Sequence, residues 1–227
     1  ARDRVRAAVV NSGLKWPDKK VTVSLSPAWL PKRGSGLDVA IAIAILAAHG
    51  QLPVAEVSRI LALGELGLDG SIRPAAGALA TALALRRSAS HSPDTIAAGP
   101  SDGRTLRAVP GLSVIDVPTL AALVARLTGE QEPDPVGDRE MPTLPATLAS
   151  VDEDTGRDMS EVRGQLEAKR ALEIAAAGGH HVALLGRAGV GKTLLAERFP
   201  TLLPDLDDER ALEATAIHQL TGRGGHA

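Results

Sequence analysis

Three observations predict an α/β protein built from two domains. A G-x-x-x-x-G-K-[ST] pattern, Gly186 to Thr193, follows an apolar run and precedes a helical one. From residue 1 to about 128, short β-branched runs alternate with Ala/Leu-rich helical stretches. Between these regions, residues 129–155 carry Pro133, Pro135, Pro142 and Pro145, an acidic excess and no sustained period, which reads as a semi-extended linker. The expected layout is an α+β unit over 1–128, a linker over 129–155 and the start of a P-loop unit over 156–227.

The elements follow in order. Val5, Ala8, Val9 and Ser12 step at helical spacing and Gly13 stops that helix. Val21-Thr22-Val23-Ser24-Leu25 alternates and is β-branched, which predicts a strand. After a Pro- and Gly-containing loop, Ser26 to Gly36, Asp38 is the expected N-cap of an apolar helix from Val39 to His49. Leu61 to Leu68 predicts a strand with glycines, Asp69-Gly70 a hairpin turn, and Ser71-Ile72-Arg73 the returning strand. Gly77 to Ser88 is an Ala/Leu helix, and Thr95 to Ala98 and Leu112 to Val117 are two further strands around a short helix near Arg104 to Val109. Pro118 is placed for the first turn of a helix to Leu127. In the second unit Ala168, Ala171, Leu172, Ala175 and Ala176 form one helical stripe that Gly178-Gly179 ends. His181 to Leu185 then predicts a buried strand, and Lys192 to Leu203 a helix with Leu194, Leu195 and Phe199 on its apolar face.

Composition narrows the function. Apolar residues make up 44% of the 227 and aromatic ones 1%, so the core is Leu, Ile, Val and Ala. The absence of cysteine excludes disulfides and thiolate metal sites from these residues. No apolar run reaches the roughly 18 residues of a membrane span, and no basic n-region with an apolar h-region opens the chain. The expectation is a soluble, cytoplasmic protein without a membrane partner. A net charge of −2 gives no global attraction to nucleic acid. Ala1 starts inside a helical pattern without an initiator Met, so the chain reads as a piece of a longer protein.

The chemistry concentrates in the P-loop. Gly186, Arg187, Ala188, Gly189, Val190 and Gly191 would wrap a polyphosphate with main-chain N–H groups turned inward. A helix beginning near Gly191 adds its positive end. Lys192 would reach the β and γ oxygens of ATP, and Thr193 would offer its hydroxyl to Mg2+. Hydrolysis also needs an acid after a second strand and an arginine from a neighbour. The acidic cluster Asp205, Asp207, Asp208 and Glu209 follows a run cut by Pro204. Asp207 or Asp208 is therefore read as capping a helix over Glu209 to Leu220, and no catalytic residue is assigned within the chain. Adjacent His180 and His181 point to opposite faces of a strand and do not share a metal. Arg2, Arg4 and Arg6, with Arg86 and Arg87, read as solvated surface; a nucleic-acid patch is the alternative.

Taken together these residues resemble the ComM/YifB family of magnesium-chelatase-like AAA+ ATPases. The resemblance rests on Arg4 to Gly13, Pro31 to Ala48, Leu63 to Pro74, Val162-Arg163-Gly164-Gln165, Ala168 to Glu173 and the P-loop. It implies that residues 1–128 have the Lon-protease-domain fold (also that of ribosomal protein S5 domain 2), incomplete at its start. It implies that 156–227 begin an AAA+ module working as a hexameric ring with ATP and Mg2+. The segment holding Val162 and Gly164 would lie against the adenine. Family members act on DNA, driving branch migration of recombination intermediates during uptake of foreign DNA, and the full-length relative is expected to be an ATPase. The chain departs from the family's frequent G-P-P-G-x-G-K form at Arg187-Ala188, and Walker B, sensor and arginine-finger residues are expected beyond Ala227. The Lon fold raises peptidase activity, but Ser35 sits one position from the Lon serine, where Gly36 stands, and Gly77 to Ala80 holds no lysine. Two other readings stay open: a magnesium-chelatase-type ATPase subunit for metal insertion, and a nucleotide-responsive assembly module without motor activity.

Overall fold

The computed structural model describes residues 1–27, 29, 34–88, 93–131 and 158–220. Chain contacts divide into two compact units, Ala1–Leu144 with Ala211–Ala227, and Pro145–Arg210. The first contains α1 (Arg2–Asn11), α2 (Asp38–Ala48), α3 (Val54–Val57), β1 (Ile60–Ala62), β2 (Glu65–Leu66), β3 (Ile72–Arg73), α4 (Ala78–Arg87), β4 (Thr95–Ala98), α5 (Pro100–Leu106), β5 (Ser113–Asp116) and α6 (Leu120–Thr128). The predicted linker falls largely on residues outside the described set, as do Pro31, Lys32 and Arg33.

Parallel strands β1, β4 and β5 form a sheet with β4 in the middle, and Leu61, Ile96 and Val114 share one register line. A central parallel strand is covered on both faces, so its side chains sort with period two into two cores. Ala97 joins Val5, Val9, Leu46, Leu120 and Leu123 of α1, α2 and α6. Its neighbours Ile96 and Ala98 join Leu79, Leu83 and Leu106 of α4 and α5 on the opposite face. This is the α/β architecture that the alternating pattern implies. Leu212 and Ala216 of α9 (Asp208–Leu220) pack into the second of these cores, and Glu213 pairs with Arg87 of α4.

Several local expectations are corrected. Val21 to Leu25 forms no strand, and Val23 and Leu25 are exposed. Alternation alone does not make a strand; a paired neighbouring strand is needed as well. The predicted strand Leu61 to Leu68 is two strands in two sheets. Gly64 is the break: at φ 151° its main chain leaves the sheet, donates to Gly36 O at 3.0 Å and accepts from Val39 N at 3.3 Å. A Cβ there would stand 2.7 Å from Ile72 Cγ2, which excludes a side chain. The hairpin is present, with Glu65 opposite Arg73 and Leu66 opposite Ile72. The helix after β4 starts earlier than expected because Pro100 occupies its first turn. Thr119, rather than Pro118, starts α6; its hydroxyl accepts from Ala122 N at 3.2 Å.

Asp38 is not an N-cap. It is the first residue of α2, 1% exposed, and its Oδ2 accepts from Arg4 Nε at 2.6 Å and Leu66 N at 3.4 Å. Arg4 also lies 3.8 Å from Glu65, so it is not the solvated arginine the sequence suggested. One carboxylate thus ties α1, α2 and the hairpin together. A buried carboxylate deprived of its cation is an uncompensated charge, which is far costlier than losing a surface pair. Arg4→Ala is therefore expected to lower the urea midpoint of the first unit clearly, whereas Arg6→Ala leaves it unchanged. Fluorescence of Trp16, which packs against this core, reads the transition; equal shifts for the two variants would contradict the role given to Asp38.

Candidate functional site

The second unit holds a 3-10 turn (Met159–Glu161), α7 (Leu166–Gly178), α8 (Lys192–Arg198) and a second 3-10 turn (Phe199–Leu202). Its small core gathers Met159, Val162, Leu172 and Leu195, with Leu184 and Phe199 packed alongside. The α7 stripe buries Leu172, Ala175 and Ala176, and Gly179, at φ 62°, closes the helix. Arg198 of α8 pairs with Glu161 at 3.0 Å, joining the end of the P-loop helix to the first turn. Hydrogen bonds from the Ser160 side chain, then its main chain, hold the Asp158 carboxyl below its ordinary range. Asp158 thereby caps the turn that carries Val162.

The expected buried strand before the P-loop does not form. His181 to Leu185 takes no regular secondary structure, and Leu185 is 93% exposed. Among the described residues this unit contains no strand, so the segment has no ladder to join. The helix after the loop is also shorter than predicted. Pro200 supplies no N–H, and the chain tightens from α-helix at Arg198 into a 3-10 turn. Asp207 caps α9 as expected, its Oδ1 accepting from Arg210 N at 2.8 Å.

The loop itself is folded. Gly189 and Gly191 take φ values of 83° and 86°, the left-handed conformation that glycine adopts without a Cβ penalty. Gly191 stands at the N-cap of α8. Among the described residues no carbonyl accepts from the N–H groups of Gly189, Val190, Gly191, Lys192 or Thr193. Five successive donors therefore lie at the positive end of a helix, the arrangement that binds phosphate oxygens. Lys192 Nζ curls over the loop and donates to Gly186 O at 2.9 Å and Arg187 O at 2.7 Å. These carbonyl contacts are exchangeable for stronger, charge-assisted bonds to a phosphate. Arg187 and Ala188 are exposed, Ala188 and Gly189 form a turn, and exposed Thr193 lies in the first turn of α8. The donor set fits a polyphosphate. Magnesium on such a site is held mostly by phosphate oxygens and water with one protein hydroxyl, so the absence of a His/Asp/Glu cluster among the described residues is compatible with it.

Val162 is 3% exposed and its side chain belongs to the small core. What the segment leaves open is main chain, at Gly164 with φ 72°. Gln165, which sequence reasoning did not single out as a site residue, stands beside the loop. It is the one non-glycine residue with positive φ among those described, at 55°, and its Nε2 donates to Val190 O at 2.8 Å. Beyond its place in the Val162-Arg163-Gly164-Gln165 stretch, the signal in the sequence is that Gln165 stands before Leu166, where Ser, Thr, Asp or Asn would be expected to cap α7.

Comparisons with known proteins place the chain among magnesium-chelatase-like sequences. A family model for subunit ChlI of magnesium chelatase matches residues 1–92, and a second, also for magnesium chelatase subunit ChlI, matches 158–227. An uncharacterised protein of Mycobacterium tuberculosis is 42% identical over 223 residues, which cover 98% of this chain and 42% of that protein. YifB of Escherichia coli is 40% identical over 220 residues, covering 97% and 41%. Competence protein ComM of Haemophilus influenzae is 35% identical over 227 residues, covering 97% and 42%. The chain thus spans well under half the length of these relatives. No helix among the described residues is long and apolar enough to cross a membrane.

The loop geometry predicts unequal tolerance of its glycines. Gly191→Ala forces a side chain into the left-handed region, with its Cβ 3.4 Å from Gln165 Nε2; it is expected to cost about 1–2 kcal/mol of unfolding free energy. Gly186 is outside that region and its added Cβ would meet only side-chain atoms, Val190 Cγ2 at 3.2 Å first. Gly186→Ala should therefore cost less. Urea unfolding followed by helical circular dichroism decides; a larger loss for Gly186→Ala would contradict the geometry.

Proposed function

The chain belongs to the ComM/YifB family of magnesium-chelatase-like proteins, and from that premise we propose that it is the ATP-binding part of a family motor. The observation that carries this reading is the loop of unpaired N–H donors at the start of α8, with Lys192 folded over it. Main-chain groups of Gly186, Arg187, Ala188, Gly189, Val190 and Gly191 surround the phosphates. Lys192 leaves its carbonyl partners for the β and γ oxygens. Thr193 gives its hydroxyl to Mg2+, which would neutralise part of the phosphate charge. The exposed main chain following Val162, at Gly164, lies beside the purine.

We extend the reading to the whole protein on the resemblance. Residues 1–128 are a Lon-like domain without peptidase activity, 129–155 a linker, and 156–227 the opening of an AAA+ module that assembles as a hexameric ring. The motor remodels DNA. Peptidase chemistry is disfavoured by the surroundings of Ser35, whose hydroxyl donates to the Glu65 carboxylate, itself beside Arg4. A second reading, an ATPase that powers metal insertion into a tetrapyrrole, is favoured by the two matches to chelatase subunit ChlI.

Lys192→Ala is expected to abolish Mg-ATP binding by this chain, measured by isothermal titration calorimetry, without lowering its thermal midpoint. Equal affinity in the wild type and the variant would contradict the P-loop reading. In the full-length protein the same substitution should remove ATP-dependent branch migration on a four-way DNA junction; retention of that activity would contradict the motor assignment.

A further inference from the structure

We infer that Gln165 is a positioning residue for the phosphate cradle: its side-chain amide holds the Val190–Gly191 peptide in the orientation that presents the Gly191 N–H to the ligand. The inference rests on the P-loop reading above.

Gln165 follows Gly164, and both residues take positive φ, 72° and 55°. Glycine adopts that conformation freely, whereas a residue with a Cβ does so at a cost. Gln165 does not recover this cost by capping its own helix, because no side-chain cap bond forms at the start of α7. Its main-chain carbonyl accepts from Lys169 N at 2.9 Å, as any residue in that place would allow. Its amide instead reaches across 25 residues to Val190 O at 2.8 Å. The strained turn therefore serves to aim a side chain, the pattern in which local strain marks a functional constraint.

The consequence follows from peptide geometry. The Val190 carbonyl and the Gly191 N–H belong to one planar trans peptide and point in opposite directions. Holding the carbonyl against Gln165 turns the Gly191 N–H to the side away from Gln165. That N–H has no acceptor among the described residues, and it stands directly before the N–H groups of Lys192 and Thr193, which have none either. The peptide on the Gly191 side is otherwise free to flip, because φ 86° at glycine carries little penalty relative to its mirror. A flip would present a carbonyl oxygen to the phosphate in place of a donor. The contact is close enough that a Cβ on Gly191 would sit 3.4 Å from Gln165 Nε2. Gln165 also sits three residues after Val162, whose side chain is locked in the small core. The clamp is thus anchored at its base by packed hydrophobic side chains.

The test uses the whole chain and two probes, Mg-ATP and magnesium tripolyphosphate, the second lacking a base. Affinities are measured by calorimetry for the wild type, Gln165→Met, Gln165→Gly and Lys192→Ala. Gln165→Met keeps length and loses the donor; it should weaken both probes by the same factor, about fivefold for one neutral hydrogen bond. Gln165→Gly relieves the backbone and should weaken both probes to a similar extent while the urea midpoint stays level or rises. A residue that mattered only for folding would lower the midpoint with Met and restore binding with Gly. Wild-type affinity for both probes in either Gln165 variant overturns the clamp. So does a loss confined to Mg-ATP, which would assign Gln165 to the base. If Lys192→Ala also binds both probes as the wild type does, the P-loop reading itself fails, a result distinct from failure of the clamp alone.

Discussion

A parallel strand leaves both edges with main-chain donors and acceptors that neighbouring strands must take up, and the two units of this chain differ in how that demand is met. In the first, β4 lies between β1 and β5, so its polar groups are paired and Ile96, Ala97 and Ala98 are free to be fully buried. Helices then cover both faces, and Leu, Ile, Val and Ala fill the layers, with Trp16 packed at the margin of one. In the second, residues 181–185 have the composition of a buried strand but, among the described residues, no strand beside them, and all but Leu184 are exposed. The same accounting explains the P-loop. Its five N–H groups without a main-chain acceptor sit at a helix start and at the surface, open to solvent.

The loop holds its form because its determinants are local. Left-handed glycines at 189 and 191, the first turn of α8, and Leu195 anchored beside Met159, Val162 and Leu172 need no sheet. A short core of this kind carries modest stability, and ion pairs such as Arg198–Glu161 add little on a surface. The first unit is tied more firmly. There a single carboxylate, Asp38, links α1, α2 and β2 through Arg4 and the Leu66 N–H, and it is buried at the first residue of α2.

Features set by short stretches were legible in the sequence. Gly13, Gly77 and Gly179 punctuate helices as expected, the Asp69-Gly70 hairpin brings β2 against β3, and Asp207 caps α9. The motif and its glycines were legible for the same reason. What was hidden depended on partners distant in the chain. Val21 to Leu25 and His181 to Leu185 have strand composition, but only a neighbour could make them strands. Asp38 has the residue type and position of a cap; its use as a buried ion-pair partner came from Arg4, 34 positions earlier. Gly64 interrupts a strand because Ile72 and Val39 crowd it, which spacing does not reveal. Gln165 escaped because a glutamine in the left-handed region has no sequence signature.

The most direct test of the central claim, that residues 186–193 are folded as a phosphate cradle, is a titration of the 15N-labelled chain with magnesium pyrophosphate, followed by amide NMR. The account predicts that the amides of Gly189, Val190, Gly191, Lys192 and Thr193 shift together and saturate, while those of β4 and α2 stay in place. Saturable shifts confined to other residues, or none in the loop at any pyrophosphate concentration, would contradict it.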